Sequence, residues 1–136
     1  MGAMLSRATG GGREIAMTWV SRDSESYPTE LTASGATLVR ATGRLSFPRV
    51  ELLREKFTSL AGSGASRVAV DLSGVEAIDS AGVGALISGL KAARAAGGDL
   101  RLVAPSTVVV DVLEMMNLGS LLSAYATSEE AFPVEG

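Results

Sequence analysis

Between Thr29 and Phe132 the apolar residues keep two alternating rhythms. "TELTASGATLVRATG" holds two short strand-like runs around Ser34-Gly35, a hairpin signal because glycine accepts a positive φ without a Cβ clash. In "SFPRVELLREKFTSLAGSG" the spacing of Val50, Leu53, Phe57 and Leu60 predicts a helix with one buried face, with Pro48 suited to its first turn and Gly62 to its end. "RVAVDL" is apolar on both alternations and reads as a central strand covered on both faces. "SAGVGALISGLKAARAAGG" returns to the helical period, with a stripe of Val83, Leu86, Ile87, Leu90 and Ala93 closed by Gly97-Gly98. "LRLVAP" then repeats the strand signal. "STVVVDVLEMMNLG" repeats the helix signal, with Ser106 as candidate cap, Val109, Val112, Leu113 and Met116 as its stripe, and Gly119 as its stop. A short "LLSAYA" and a capping-box pattern in "TSEEAF", Thr127 with Glu130, complete the series.

Upstream, "EIAMTWVSR" alternates Ile15, Met17 and Trp19 as a half-buried strand does, until "DSESYP" breaks the pattern. Residues 1–13 have no apolar period and a glycine run, and read as a flexible tail or an expression scar. Strand, helix, strand, helix, strand is the order of a sheet with parallel crossovers. The expected class is α/β: one domain over residues 14–136, with a mixed, mostly parallel sheet opened by a hairpin and helices packed mainly on one face.

Composition narrows the chemistry. A chain of 136 residues with 46% hydrophobic and 20% charged residues is long enough for one well-buried core. No apolar run approaches the ~20 residues of a membrane span, so a soluble protein without membrane insertion is expected, and the absence of cysteine fits the reducing setting of a cytoplasmic one. The net charge of −3 and the lack of a basic run argue against direct nucleic-acid binding. Having neither cysteine nor histidine, the chain has no Ser-His-Asp or Cys-His chemistry and lacks the commonest metal ligands. Asp71 and Asp79 have few convergent partners, and no metal is expected. "GSGAS" at 62–66 lacks the lysine of a phosphate loop and reads as a turn. Met115 and Met116 read as core filling, and Trp19 as a packing residue.

One junction is left over. "IDSAG" places Asp79 and Ser80 where a strand passes into a helix, the position at which α/β sheets gather functional groups, because a helix N-terminus offers unpaired N–H donors and partial positive charge. From the local pattern, either polar residue is explained as a helix cap. A cap accounts for one of them, whereas two followed by Ala81 and Gly82 also leave a hydroxyl approachable by another protein.

"VAVDLSGVEAIDSAGVGALISGLKAARAAGGDLRLVAPS" resembles the core of the STAS domain, in particular the bacterial anti-sigma factor antagonists. The likeness runs from about Thr29 to Phe132 and takes in "VRATGRLSF" and "VLEMMNLGSLLSAY". It implies a non-enzymatic regulator without a cofactor of its own. In such a partner switch, the unphosphorylated antagonist binds an anti-sigma factor serine kinase with an ATP-binding, histidine-kinase-like fold. That kinase then phosphorylates the antagonist and is released, and a PP2C-type phosphatase resets it. The phosphorylated position maps onto Ser80, and the partner-binding surface onto Asp79, Ser80, Ala81, Gly82, Val83 and Gly84, with Ser46 from the "GRLS" segment. Two positions depart from the family pattern: Ala81 stands where a second small hydroxyl residue is common, and Ser46 where an acidic residue is usual. The alternative within the same resemblance is a structural STAS module that assembles a stress-signalling scaffold or a membrane-transporter complex without a phospho-switch.

Overall fold

The computed structural model describes residues 27–134; the strand expected around Ile15–Trp19 and the tail of residues 1–13 lie outside them. Five strands form one sheet in the order β1-β2-β3-β4-β5: β1 (Thr29–Leu31), β2 (Thr37–Leu45), β3 (Arg67–Ile78), β4 (Asp99–Val103) and β5 (Ala124–Tyr125). The first pair is antiparallel, and every later pair is parallel. The connections are α1 (Val50–Gly62), α2 (Ser80–Ala95) and α3 (Thr107–Met115), and α4 (Ser128–Ala131) follows β5. The class, the opening hairpin and the parallel crossovers are those expected. Gly35, at φ +84°, makes the hairpin turn.

Strand alternation divides the buried residues between two sides of the sheet. Val39, Ala41, Val68, Val70, Leu72, Leu100 and Leu102 join Leu53 and Phe57 of α1, Leu86 and Leu90 of α2, and Val109 and Leu113 of α3 in the larger core. Leu38, Ala69 and Val103 point the other way and are capped by Ala131 and Phe132 at the end of the chain. The three long helices therefore share one face, as expected, and the short α4 closes the other.

Three local expectations shift. Pro48 precedes α1 instead of entering its first turn, since the helix begins at Val50, whose N–H donates to the Ser46 carbonyl. The helix stops also move, because a positive φ belongs to Gly64 and to Asn117, leaving Gly62 as the last residue of α1 and Gly119 beyond the end of α3. Met115 and Met116 are 79% and 46% exposed, so they do not fill the core: α3 ends as its buried stripe runs out at Leu113.

The change that bears most on the site is the length of β3. "RVAVDL" predicted a strand ending at Leu72, whereas pairing with β2 continues through Ala77 and Ile78. Ser73 and Gly74 look like a turn, and a local polar contact does form: the Ser73 N–H and hydroxyl both donate to Asp71 Oδ1, at 2.9 and 2.7 Å. The ladder absorbs it through register shifts between Arg40 and Thr42 and between Gly43 and Arg44. As a result Leu45 pairs with Ile78, and the segments that follow these two residues leave the sheet side by side.

Candidate functional site

The junction after β3 is built by Asp79. Its backbone is extended, and its carboxylate Oδ1 accepts the Gly82 N–H at 3.0 Å, satisfying one of the orphan donors of the first turn of α2. Asp79 is thus the cap, which settles the choice that the local pattern left open. Ser80, the first residue of the helix, is exposed, and its hydroxyl has no hydrogen-bond partner among the described residues. Released from capping, that hydroxyl is available to chemistry from outside.

The adjoining wall is the loop from β2 to α1. The Asp79 N–H donates to the Leu45 carbonyl at 3.4 Å, which brings Ser46, the next residue, to the same end of the sheet as Asp79 and Ser80. Arg49 holds this loop by donating from one guanidinium nitrogen to the carbonyls of Thr42 and Arg44, at 3.0 and 2.9 Å, while stacking 5.1 Å over the Tyr27 ring. On the other side, the Ser106 hydroxyl does not cap α3 as expected but donates to the Val75 carbonyl at 2.7 Å, with its N–H on the Leu72 carbonyl at 3.2 Å. Arg49 thus holds the end of β2, and Ser106 holds the far half of β3.

The seven sequence-predicted contact residues divide into three groups by exposure. Asp79 and Ser80 are exposed, while Ser46, Ala81 and Gly84 are half-buried. Gly82 and Val83 are buried, which corrects the expectation that Gly82 opens a small-residue surface. A Cβ at Gly82 would overlap the carbonyl oxygen of Leu45 and approach Ile78 Cγ1 to 2.8 Å. The missing side chain therefore serves the packing of α2 against the loop. Gly84 also has a neighbour within the chain, as its Cβ would come 2.9 Å from an Arg54 guanidinium nitrogen. Arg54 in turn pairs with Glu51 at 3.3 Å and donates to the Ser88 hydroxyl at 3.1 Å.

Sequence reasoning missed Phe47. It follows Ser46 in the same loop and is 67% exposed, a large apolar side chain turned to solvent beside the Ser80 junction. The signal was present in "LSFP", but the helical period beginning at Val50 drew attention past it. Among the described residues there is no group of three or more carboxylates able to hold a metal ion, and no helix long and apolar enough to cross a membrane.

Known proteins share this fold. A Thermotoga maritima protein assigned as an anti-sigma factor antagonist is 35% identical over 75 residues, or 55% of this chain and 66% of that protein, and a homologue from Thermotoga neapolitana matches equally. The chain thus spans somewhat less than two-thirds of the length of these relatives. The crystal structure of the Thermotoga maritima protein superposes with a TM-score of 0.72 at 26% identity, covering 81% of this chain and 94% of that one. The Bacillus anti-sigma factor antagonist SpoIIAA superposes in its unphosphorylated form with a TM-score of 0.62 at 25% identity, covering 77% of this chain and 93% of that one. Its phosphorylated form gives 0.62 at 26% identity, with 77% and 95% covered. The STAS domain model matches residues 27–131, and with the bulged β3, the capped start of α2 and the shared fold in view, the chain belongs to the STAS domain family.

Proposed function

We propose that the chain is an anti-sigma factor antagonist of the partner-switching kind, a cytoplasmic, non-enzymatic regulator with Ser80 as its phosphoacceptor. The observation that carries this reading is the division of labour at the junction: Asp79 caps α2, and the Ser80 hydroxyl stands exposed one residue later, without a hydrogen-bond partner among the described residues. A serine needed only for capping would be engaged with the backbone. The partner is a kinase-type anti-sigma factor, which brings the ATP and magnesium, and a PP2C-type phosphatase restores the hydroxyl. The docking surface comprises Ser80 with Asp79, Ala81 and Gly84 beside it and Ser46 and Phe47 across from it, while Gly82 and Val83 shape it from beneath.

The physics of the switch is local. A phosphate at the start of a helix is stabilised by the helix dipole by roughly 0.3–1 kcal/mol, so the modified domain keeps its fold. Burying the same dianion unpaired against a partner costs several kcal/mol. A loss of only ~3 kcal/mol is more than a hundredfold in affinity, enough to reverse a competition with a sigma factor. Incubating the protein with its cognate kinase and ATP, then mapping phosphopeptides by mass spectrometry, tests the assignment. Phosphate is expected on Ser80 alone, and Ser80→Ala is expected to bind without being released by ATP. Phosphate elsewhere, or release of the Ser80→Ala protein by ATP, would overturn it.

A further inference from the structure

The opposite end of the sheet carries a second feature. A cleft of about 630 Å³ opens at the amino ends of β3 and β4, lined by Arg67, Arg94, Asp99, Arg101, the Gly97-Gly98 turn and the edge of Phe132. Three guanidinium groups face one carboxylate. Asp99 accepts from Arg94 at 3.2 Å and from Arg101 at 3.1 Å. Burial pushes its carboxyl up, but the bonds from Arg101, Arg94 and the Leu100 N–H outweigh this and hold it below the ordinary carboxylate range, so it stays charged. Arg67 has no carboxylate partner among the described residues and donates to the Ser34 carbonyl at 2.6 Å. Among the described residues the cleft therefore keeps a surplus of two positive charges, in a protein whose net charge is −3.

These groups are held in place as well as charged. Arg101 donates to the Ala131 carbonyl at 2.6 Å and lies 4.4 Å over the Phe132 ring, and Arg67 sits 6.0 Å from the same ring. Gly98, in the lining, packs directly on the Ser66 backbone, where a Cβ would overlap the Ser66 carbonyl. A guanidinium presents a planar fork that matches two oxygens of one anion, and several preorganised forks around an open volume make a polyanion receptor. A second, smaller cleft of about 470 Å³, lined by Ala33, Ser34 and Val134, shares Arg67.

We infer that this cleft is a binding site for a compact polyanion with the chemistry of a pyrophosphate group, distinct from the Ser80 surface. β3 runs from Arg67 to Ile78, and at about 3.3 Å per residue its length separates the two sites by roughly 36 Å, so a ligand here does not compete directly with a partner at Ser80. The test is an amide NMR titration of the full chain with sodium pyrophosphate at constant ionic strength. Saturable shifts are expected at Gly97, Gly98 and Leu100, with Ser80 and Gly82 unmoved. The double variant Arg67→Gln/Arg94→Gln is expected to keep its dispersed spectrum and bind roughly tenfold more weakly or worse, about 1.4 kcal/mol, while Arg40→Gln, a charge change away from the cleft, leaves binding as it was. Shifts that do not saturate, shifts centred on the start of α2, or equal affinity in the double variant would overturn the proposal.

Discussion

Gly82 and Leu45 are in backbone contact: the first turn of α2 rests on the carbonyl at the end of β2, with no room for a side chain between them. That contact ties the Ser80 junction to the loop carrying Ser46 and Phe47, and it makes Gly82 a packing residue. Gly82→Ala is expected to destabilise the domain by about 2 kcal/mol, as overpacking of a tight contact does, measured by urea unfolding. An alanine variant of parental stability would show that the junction yields freely. For the same reason Gly82→Trp, which an open small-residue surface would accept without harm, is expected to disrupt the fold locally.

Asp79 caps through one carboxylate oxygen, so its two roles separate by substitution. Asp79→Ala is expected to cost about 1 kcal/mol, the usual worth of an N-cap, while Asp79→Asn keeps the cap and most of that stability. If Asp79→Asn also keeps its affinity for the proposed anti-sigma partner, the residue acts only by shaping the turn. Weakened binding with unchanged unfolding would assign a contact to its charge.

Phe47 is exposed and contributes little to the core, so Phe47→Ala is expected to leave unfolding unchanged within about 0.5 kcal/mol. On the proposed surface it acts as an apolar anchor, and the same variant is expected to weaken partner binding by roughly 1–2 kcal/mol in calorimetry. Unchanged affinity would place the partner elsewhere.

Ser46 stands where the resemblance implies an acid, and it leaves the sheet beside Asp79. Ser46→Asp is expected to raise the rate of phosphorylation by the proposed kinase partner, followed by phosphate incorporation over time. An unchanged rate would make the difference neutral.

The Asp99 carboxyl is held below its ordinary range, where the folded form binds its proton less readily than the unfolded chain does. Its stabilising effect is therefore full above the unfolded value near ~3.9 and is lost as pH falls through the lower folded value. Asp99→Asn is expected to lower stability by about 0.5–1 kcal/mol at pH 7, a modest figure because the pairs are part-exposed, with the difference from the parent shrinking below about pH 4. A gap constant down to pH 2 would mean that the ion pairs contribute nothing.

What was legible in the chain was what repeats. The periods of Val50, Leu53 and Phe57 and of Val83, Leu86 and Leu90 marked two helices, and the doubly apolar "RVAVDL" marked the central strand, because burial on a helix or strand imposes its own spacing on sequence. The Asp79-Ser80 junction was visible for the same reason, as polar residues set between two such patterns. Tertiary structure decided what depends on partners distant in the chain. Whether Asp79 or Ser80 caps α2 turned on which side chain reaches the Gly82 N–H, and the burial of Gly82 turned on a carbonyl 37 positions earlier (82 minus 45). Ser73 and Gly74 carry turn chemistry, yet pairing with β2 carries the strand past them to Ile78, since a ladder of interstrand bonds outweighs one local contact. The arginine cleft is assembled from Arg67, Arg94 and Arg101 on three elements, and no spacing along a chain reveals charges that only the sheet brings together.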